Sequence, residues 1–132
     1  LEAKAQGLFV KPRVRFLGWR NDVAALFAAC DLFVCPSRHE PLGNVVIEAW
    51  AQGVPIVAAD SAGPAALIRH GETGLLVPVN DARALTRAIQ NVLADRALAQ
   101  RIAAAGRAAF AARFTEDIVV ERYLEFFAKV GG

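Results

Sequence analysis

Methionine is absent from all 132 residues, and cysteine, histidine and tyrosine are nearly so, at two, two and one. A chain without methionine does not begin at its own start codon. It is therefore expected to be a fragment, a processed product or an excised domain. The run between Cys30 and Cys35 reads as extended, which would hold their Cα atoms on the order of 16 Å apart, beyond disulfide reach. Two cysteines at that spacing make no metal site either. Both are expected to be small buried hydrophobes in a reduced compartment, which points to the cytoplasm. With only His39 and His70 available, no Ser–His–Asp arrangement or metal-ligand cluster is visible, and no phosphate-binding P-loop is present. Long apolar runs are missing as well: Val45 to Ala59 is broken by Glu48, Gln52, Gly53 and Pro55, short of a spanning helix. The N-terminus lacks the charged-then-apolar layout of a signal peptide. A net charge of +2 is too small to argue for nucleic acid, although it tolerates an anionic ligand or a membrane surface.

Hydrophobic residues, at 55% against 21% charged, exclude a disordered chain. The length suits one domain that buries roughly two-thirds of its unfolded surface. Apolar runs bounded by Gly and Pro predict strands at Val14–Leu17, Leu32–Cys35, Ile56–Ala59 and Leu75–Val77. Helices are predicted between and after them. Asn21 or Asp22 caps one that ends near Ala29, a second runs from Gly43 towards Gly53, and a short third spans Ala65–Arg69. Beyond Asn80 or Asp81 a helix aligns Leu85, Ile89 and Val92. An alanine-rich helix follows over Arg96–Arg113, with Gly106 as a break. Thr115 caps a last helix to about Lys129, with Ile118, Tyr123 and Phe126 or Phe127 facing inward. Strands that alternate with helices and lack period-2 polarity predict an α/β fold with a parallel sheet covered on both faces. The arginines at 83, 87, 96, 101, 107 and 113 read as a solvated helix face.

Chemistry concentrates in Ser37–Gly53, SRHEPLGNVVIEAWAQG. Glu40 and Glu48 stand eight positions apart on either side of Gly43-Asn44, at a strand–loop–helix junction. That is where open parallel sheets bind ligands, outside strand carboxyl ends and at helix N-termini with free N–H groups. Glu48 interrupts Val45-Val46-Ile47 and Ala49-Trp50, whose surroundings should be largely buried. An unpaired carboxylate there is costly, so Glu48 must face a polar cleft or meet a hydrogen-bond partner; a capped or salt-bridged structural carboxylate is the other reading. Asn44 lies four residues earlier on the same face. A glycosidase pair finds no other support, since eight helical residues span roughly 12 Å against ~5–9.5 Å between hydrolase carboxyl groups.

The string from Phe16-Leu17-Gly18-Trp19 through PSRHEPLGNVVIEAWAQGVPIVA to GETGLLVPVND resembles the C-terminal, donor-binding part of retaining glycosyltransferases of the two-Rossmann-domain (GT-B) type. The likeness is to the large family that includes lipopolysaccharide and polysaccharide sugar transferases. It runs from about Val14 to Tyr123, and E-x7-E inside EPLGNVVIEA is its most specific part.

The resemblance implies a truncated Rossmann-like domain: one partial domain over 1–132, donor-binding over 14–79, with C-terminal helices over 80–132. It implies that Glu40 hydrogen-bonds the donor sugar near the reacting centre. Backbone N–H groups of Leu42, Gly43, Asn44 and Val45 would face the sugar and diphosphate, and Glu48 would grip the two ribose hydroxyls. The loop holding Trp19 and Arg20 would lie near the nucleobase, with His39 at the rim. The implied substrate is a nucleoside-diphosphate sugar, with no metal or other cofactor. The enzyme would be cytoplasmic, allowing peripheral contact with the inner membrane. Against the family the chain lacks the N-terminal acceptor domain and the opening two strands of the donor domain, with the cations that neutralise the diphosphate. The isolated chain is therefore expected to be inactive. A sugar-nucleotide epimerase of the same two-domain fold and a non-enzymatic nucleotide- or sugar-binding module stay open.

In that fold the strand order is 3-2-1-4-5-6. The core sheet should then be Leu32–Cys35, Ile56–Ala59 and Leu75–Val77 in that order. Val14–Leu17, deprived of its neighbour, should be detached, re-paired locally or completed by a second molecule, and the isolated chain should self-associate.

Overall fold

A computed structural model describes residues 1–131. Three short parallel strands form the sheet: β1 (Phe33–Cys35), β2 (Ile56–Ala59) and β3 (Leu75–Val77), in the order β1-β2-β3. Phe33 lies opposite Ile56 and Val57 opposite Leu75. All four residues of β2 are buried, and because strand side chains alternate they serve two cores. Ile56 and Ala58 join Phe27, Cys35, Val46, Ala49, Trp50, Val54 and Ile68 on one face. Val57 joins Leu75, Val77, Val92, Leu98 and Ile102 on the other. A strand buried on both sides has no polar face to display, which is why period-2 polarity is missing from the sequence.

The helices are α1 (Glu2–Gly7), α2 (Val23–Ala28), α3 (Asn44–Ala51), α4 (Ala62–Leu67), α5 (Ala82–Ala94), α6 (Arg96–Arg113) and α7 (Glu116–Val130). α3 supplies one core through Val46, Ala49 and Trp50, and ends where Gly53 takes a left-handed φ of 67°, as a helix C′ glycine does. α5 is capped by the Asp81 carboxylate, which accepts from Ala84 N–H at 2.8 Å, and lays Val92 on the opposite core. α6, capped likewise by Asp95 through Leu98 N–H at 2.9 Å, spans both cores, with Leu98 and Ile102 at one end and Phe110 at the other.

Several elements depart from the sequence reading. Val14–Leu17 is not a strand. It follows a 3₁₀ turn at Lys11–Arg13, pairs with no strand among the described residues and is exposed from Arg15 onward. α4 starts three residues earlier than the predicted Ala65, because Pro64 fits a first helical turn, where no N–H is needed. Gly106 does not break α6, which is continuous over 18 residues. A Cβ at 106 would fall 2.4 Å from Trp50 Cδ1 and 2.6 Å from its Nε1, so the glycine opens room for an indole. α7 buries nothing: Ile118 is half-covered, whereas Tyr123, Phe126 and Phe127 are 61%, 57% and 62% exposed. Among the described residues their apolar face joins neither core; Tyr123 and Phe126 only line an open depression with Arg113 and Phe114 at the end of α6. Cys35 is buried as expected, but Cys30 is exposed, its thiol donating to the Leu26 carbonyl at 2.9 Å. It sits at the C-terminal end of the short α2, beyond the reach of either core.

Candidate functional site

The site is assembled from three segments that meet beyond the carboxyl end of β1. Pro36 ends the strand, a loop carries Glu40 and Leu42, and Gly43 turns the chain into α3. Gly43 has φ +73°, and a Cβ there would meet Leu67 Cδ1 at 2.8 Å and Gly63 C at 2.9 Å. Both the backbone angle and the packing thus exclude a side chain. Glu40 is half-buried and turned back on its own loop, Oε1 accepting the Gly43 N–H at 3.1 Å. The intrahelical bonds of α3 begin with Val46 N–H to the Gly43 carbonyl at 2.9 Å. That leaves the N–H groups of Asn44 and Val45 without helical partners, at the end of the helix where the peptide dipoles leave partial positive charge.

Glu48 is exposed, not enclosed by its sequence neighbours. Val46, Ala49 and Trp50 point to the core from other sides of the helix, so burial does not penalise the carboxylate. Glu48 lines a depression of about 300 Å³ between α2 and α3, with Asn21, Val23, Ala24, Phe27 and Gln52. Leu42 and Asn44 are exposed and Val45 is half-buried, so these positions open to solvent around the first turn of α3.

The loop before α2 is arranged differently from its sequence reading. Trp19 is 97% exposed. The Arg20 guanidinium grips the Asp22 carboxylate through Nε at 2.7 Å and a terminal nitrogen at 2.5 Å. That contact raises the Arg20 pKa and holds the Asp22 carboxyl below its ordinary range. Asp22 occupies the N-cap of α2, but its side chain goes to Arg20 and caps no helix N–H. Asn21, not Trp19 or Arg20, reaches the Glu48 cleft. Sequence reasoning gave Asn21 only a capping role; its place between Arg20 and a helix start was the one available signal.

A second cavity, about 430 Å³, lies beyond the carboxyl ends of all three strands, with Arg38, Asn80 and Asp81 as its polar wall. His39 is exposed. His70 Nδ1 accepts the Leu76 N–H at 3.0 Å, a structural bond that secures the entry to β3. Among the described residues no group of three or more His, Cys, Asp or Glu could hold a metal ion. No helix there is long and apolar enough to cross a membrane.

The model of the family described as glycosyl transferases group 1 matches residues 1–109. The lipopolysaccharide core biosynthesis glycosyltransferase LpsE of Rhizobium meliloti is 43% identical over 128 residues, covering 97% of this chain and 38% of that protein. Among solved structures, sucrose-phosphate synthase from Thermosynechococcus elongatus superposes with a TM-score of 0.92 at 35% identity, over 98% of this chain and 33% of the other. Anabaena HepE in complex with UDP gives a TM-score of 0.92 at 32% identity, over 96% of this chain and 35% of that one. The chain thus spans about a third of the length of these three proteins.

Proposed function

Because the chain belongs to the group 1 glycosyl transferases, we propose that it is the nucleotide-sugar-binding part of a retaining glycosyltransferase that passes a sugar to a glycan or lipid-linked acceptor. The observation that carries this reading is the placing of Glu40 and Glu48 around one helix start. Glu40 stands in the loop ahead of α3, and Glu48 opens on the α2–α3 cleft one turn beyond that start. The cleft takes the nucleoside, with Glu48 accepting from the ribose hydroxyls and Asn21 at the far wall. The N–H groups of Asn44 and Val45, together with those of Leu42 and Gly43, face the diphosphate and sugar. They offset negative charge that grows on the leaving diphosphate. Glu40 takes a donor-sugar hydroxyl through its second oxygen, since only Oε1 is engaged with the Gly43 N–H; that N–H turns to the ligand when Oε1 releases it. Trp19 folds over the base and Arg20, once released from Asp22, meets a phosphate, although neither lines the cleft without ligand; the full exposure of the indole supports its freedom to move. The donor is a uridine nucleotide sugar; the HepE complexes with UDP and with UDP-glucose support that choice.

The same reading has the enzyme work without a bound metal, in the cytoplasm or against the inner membrane, with an acceptor-binding part that this chain does not contain. It has the isolated chain inactive and prone to self-association. The outer edge of β1, which pairs with no strand among the described residues, and the exposed aromatic face of α7 support the last point. The epimerase and the non-enzymatic module are not favoured, since relatives at 43% and 37% identity carry glycosyltransferase names.

Calorimetric titration with UDP tests the assignment. Glu48→Gln, which replaces a charge-assisted hydrogen bond with a neutral one, should weaken binding by roughly 1.5–3 kcal/mol and leave the fold intact. Unchanged affinity would remove Glu48 from the nucleotide site.

A further inference from the structure

The Glu40 loop leans on the turn after β2. Gly63 donates its N–H to the Glu40 carbonyl oxygen at 2.6 Å. A Cβ at position 63 would fall 2.3 Å from Gly43 N, 2.6 Å from the Glu40 oxygen and 2.7 Å from Leu42 C. All three are backbone atoms of the loop, none the far end of a flexible side chain, so the two segments touch only because residue 63 has no side chain. Leu67, one turn further along α4, closes on the same loop against Gly43. Gly63 and Pro64 are buried, and the proline fixes φ beside the contact. The support is therefore stiff on the side where the loop needs it.

We propose that Gly63, with Leu67 behind it, is a positioning element for the sugar end of the donor. It touches no substrate; it sets where the Glu40 carboxylate and the Gly43 N–H stand. This rests on the reading of Glu40 as the sugar contact and Glu48 as the nucleoside contact. Glu48 lies on the cleft shared with α2, and none of the close contacts of Gly63 involves that cleft. A change at Gly63 therefore separates the two halves of the ligand, whereas general damage to the fold weakens both alike.

The test is calorimetry on the full-length protein with two probes, UMP and UDP-glucose, for the parent, Gly63→Ala and Leu67→Ala. Gly63→Ala should bind UDP-glucose about tenfold more weakly, the effect of one misdirected hydrogen bond, and UMP within about twofold of the parent. Leu67→Ala removes the support without a backbone clash. It should show the same split, smaller in size, and it carries the test if Gly63→Ala does not fold. Equal losses of UMP and UDP-glucose in the folded variants would overturn the proposal and leave Gly63 a packing residue. Unchanged binding of both probes would overturn it too, with the nucleotide-sugar reading intact. A parent protein that binds neither probe would bring down that reading and this inference with it.

Discussion

Replacing Gly106 with alanine sets two effects of known size against each other. In an isolated helix the change is favourable by about 1 kcal/mol, because glycine loses more backbone entropy on folding. Here the new methyl would lie 2.4 Å from Trp50 Cδ1 and 2.6 Å from its Nε1. The indole has nowhere to go: it is 1% exposed, and its Nε1 donates to the Thr73 carbonyl at 2.9 Å. Overpacking of a dense core costs about 1–3 kcal/mol, and a displaced indole forfeits a buried hydrogen bond of about 1 kcal/mol more. Clash wins, and Gly106→Ala should be destabilised by about 1–3 kcal/mol net of the helix gain. Urea unfolding read by tryptophan emission measures this directly. Trp19 is 97% exposed in the folded chain, so the change in emission on unfolding belongs to Trp50. The midpoint should fall by about 1 M urea, with red-shifted emission already in the folded state. A variant as stable as the parent, or more so, refutes the packing role and makes Gly106 the helix irregularity that its residue type suggests.

Three further outcomes follow from the same contacts. Glu40→Ala should depress turnover of the full-length enzyme about 100-fold while UDP affinity changes little; equal loss in both would place Glu40 on the nucleotide. Asp22 should titrate below the ordinary aspartate range because Arg20 holds its charged form. Its small contribution to stability is then present above the usual aspartate pKa and lost as pH falls through the lowered one. NMR titration should show Arg20→Gln returning the midpoint to normal, and an unmoved midpoint would refute the pairing. Phe126→Ser with Phe127→Ser should leave stability within about 0.5 kcal/mol, since both rings are exposed, and should lower the associated mass seen by light scattering. A steep loss of stability instead would mean that α7 packs inward after all.

What the sequence determined by itself was local. Apolar runs bounded by Pro36 behind one and by Pro55 and Gly74 ahead of the others marked the three strands that form, and Asp81 announced its helix by a carboxylate placed just ahead of it. EPLGNVVIEA identified the glutamate pair and the loop between them. Each of these signals acts over a few residues, through turn chemistry, capping or periodicity, so it can be read without knowing the fold. Only the tertiary structure decided which neighbours the special residues meet. Gly106 looked like a break because its partner, Trp50, is 56 positions away, and only the approach of α6 to α3 reveals the space it leaves. Gly63 gave no signal for the same reason, since its contact, the Glu40 carbonyl, lies 23 positions back. Glu48 seemed stranded among apolar residues until the helix turned them to the core and turned it to the cleft. The aromatic side of α7 has the pattern of a core helix, yet a pattern states only that a face is apolar. Whether that face is covered depends on what the rest of the polypeptide brings against it, and among the described residues nothing does.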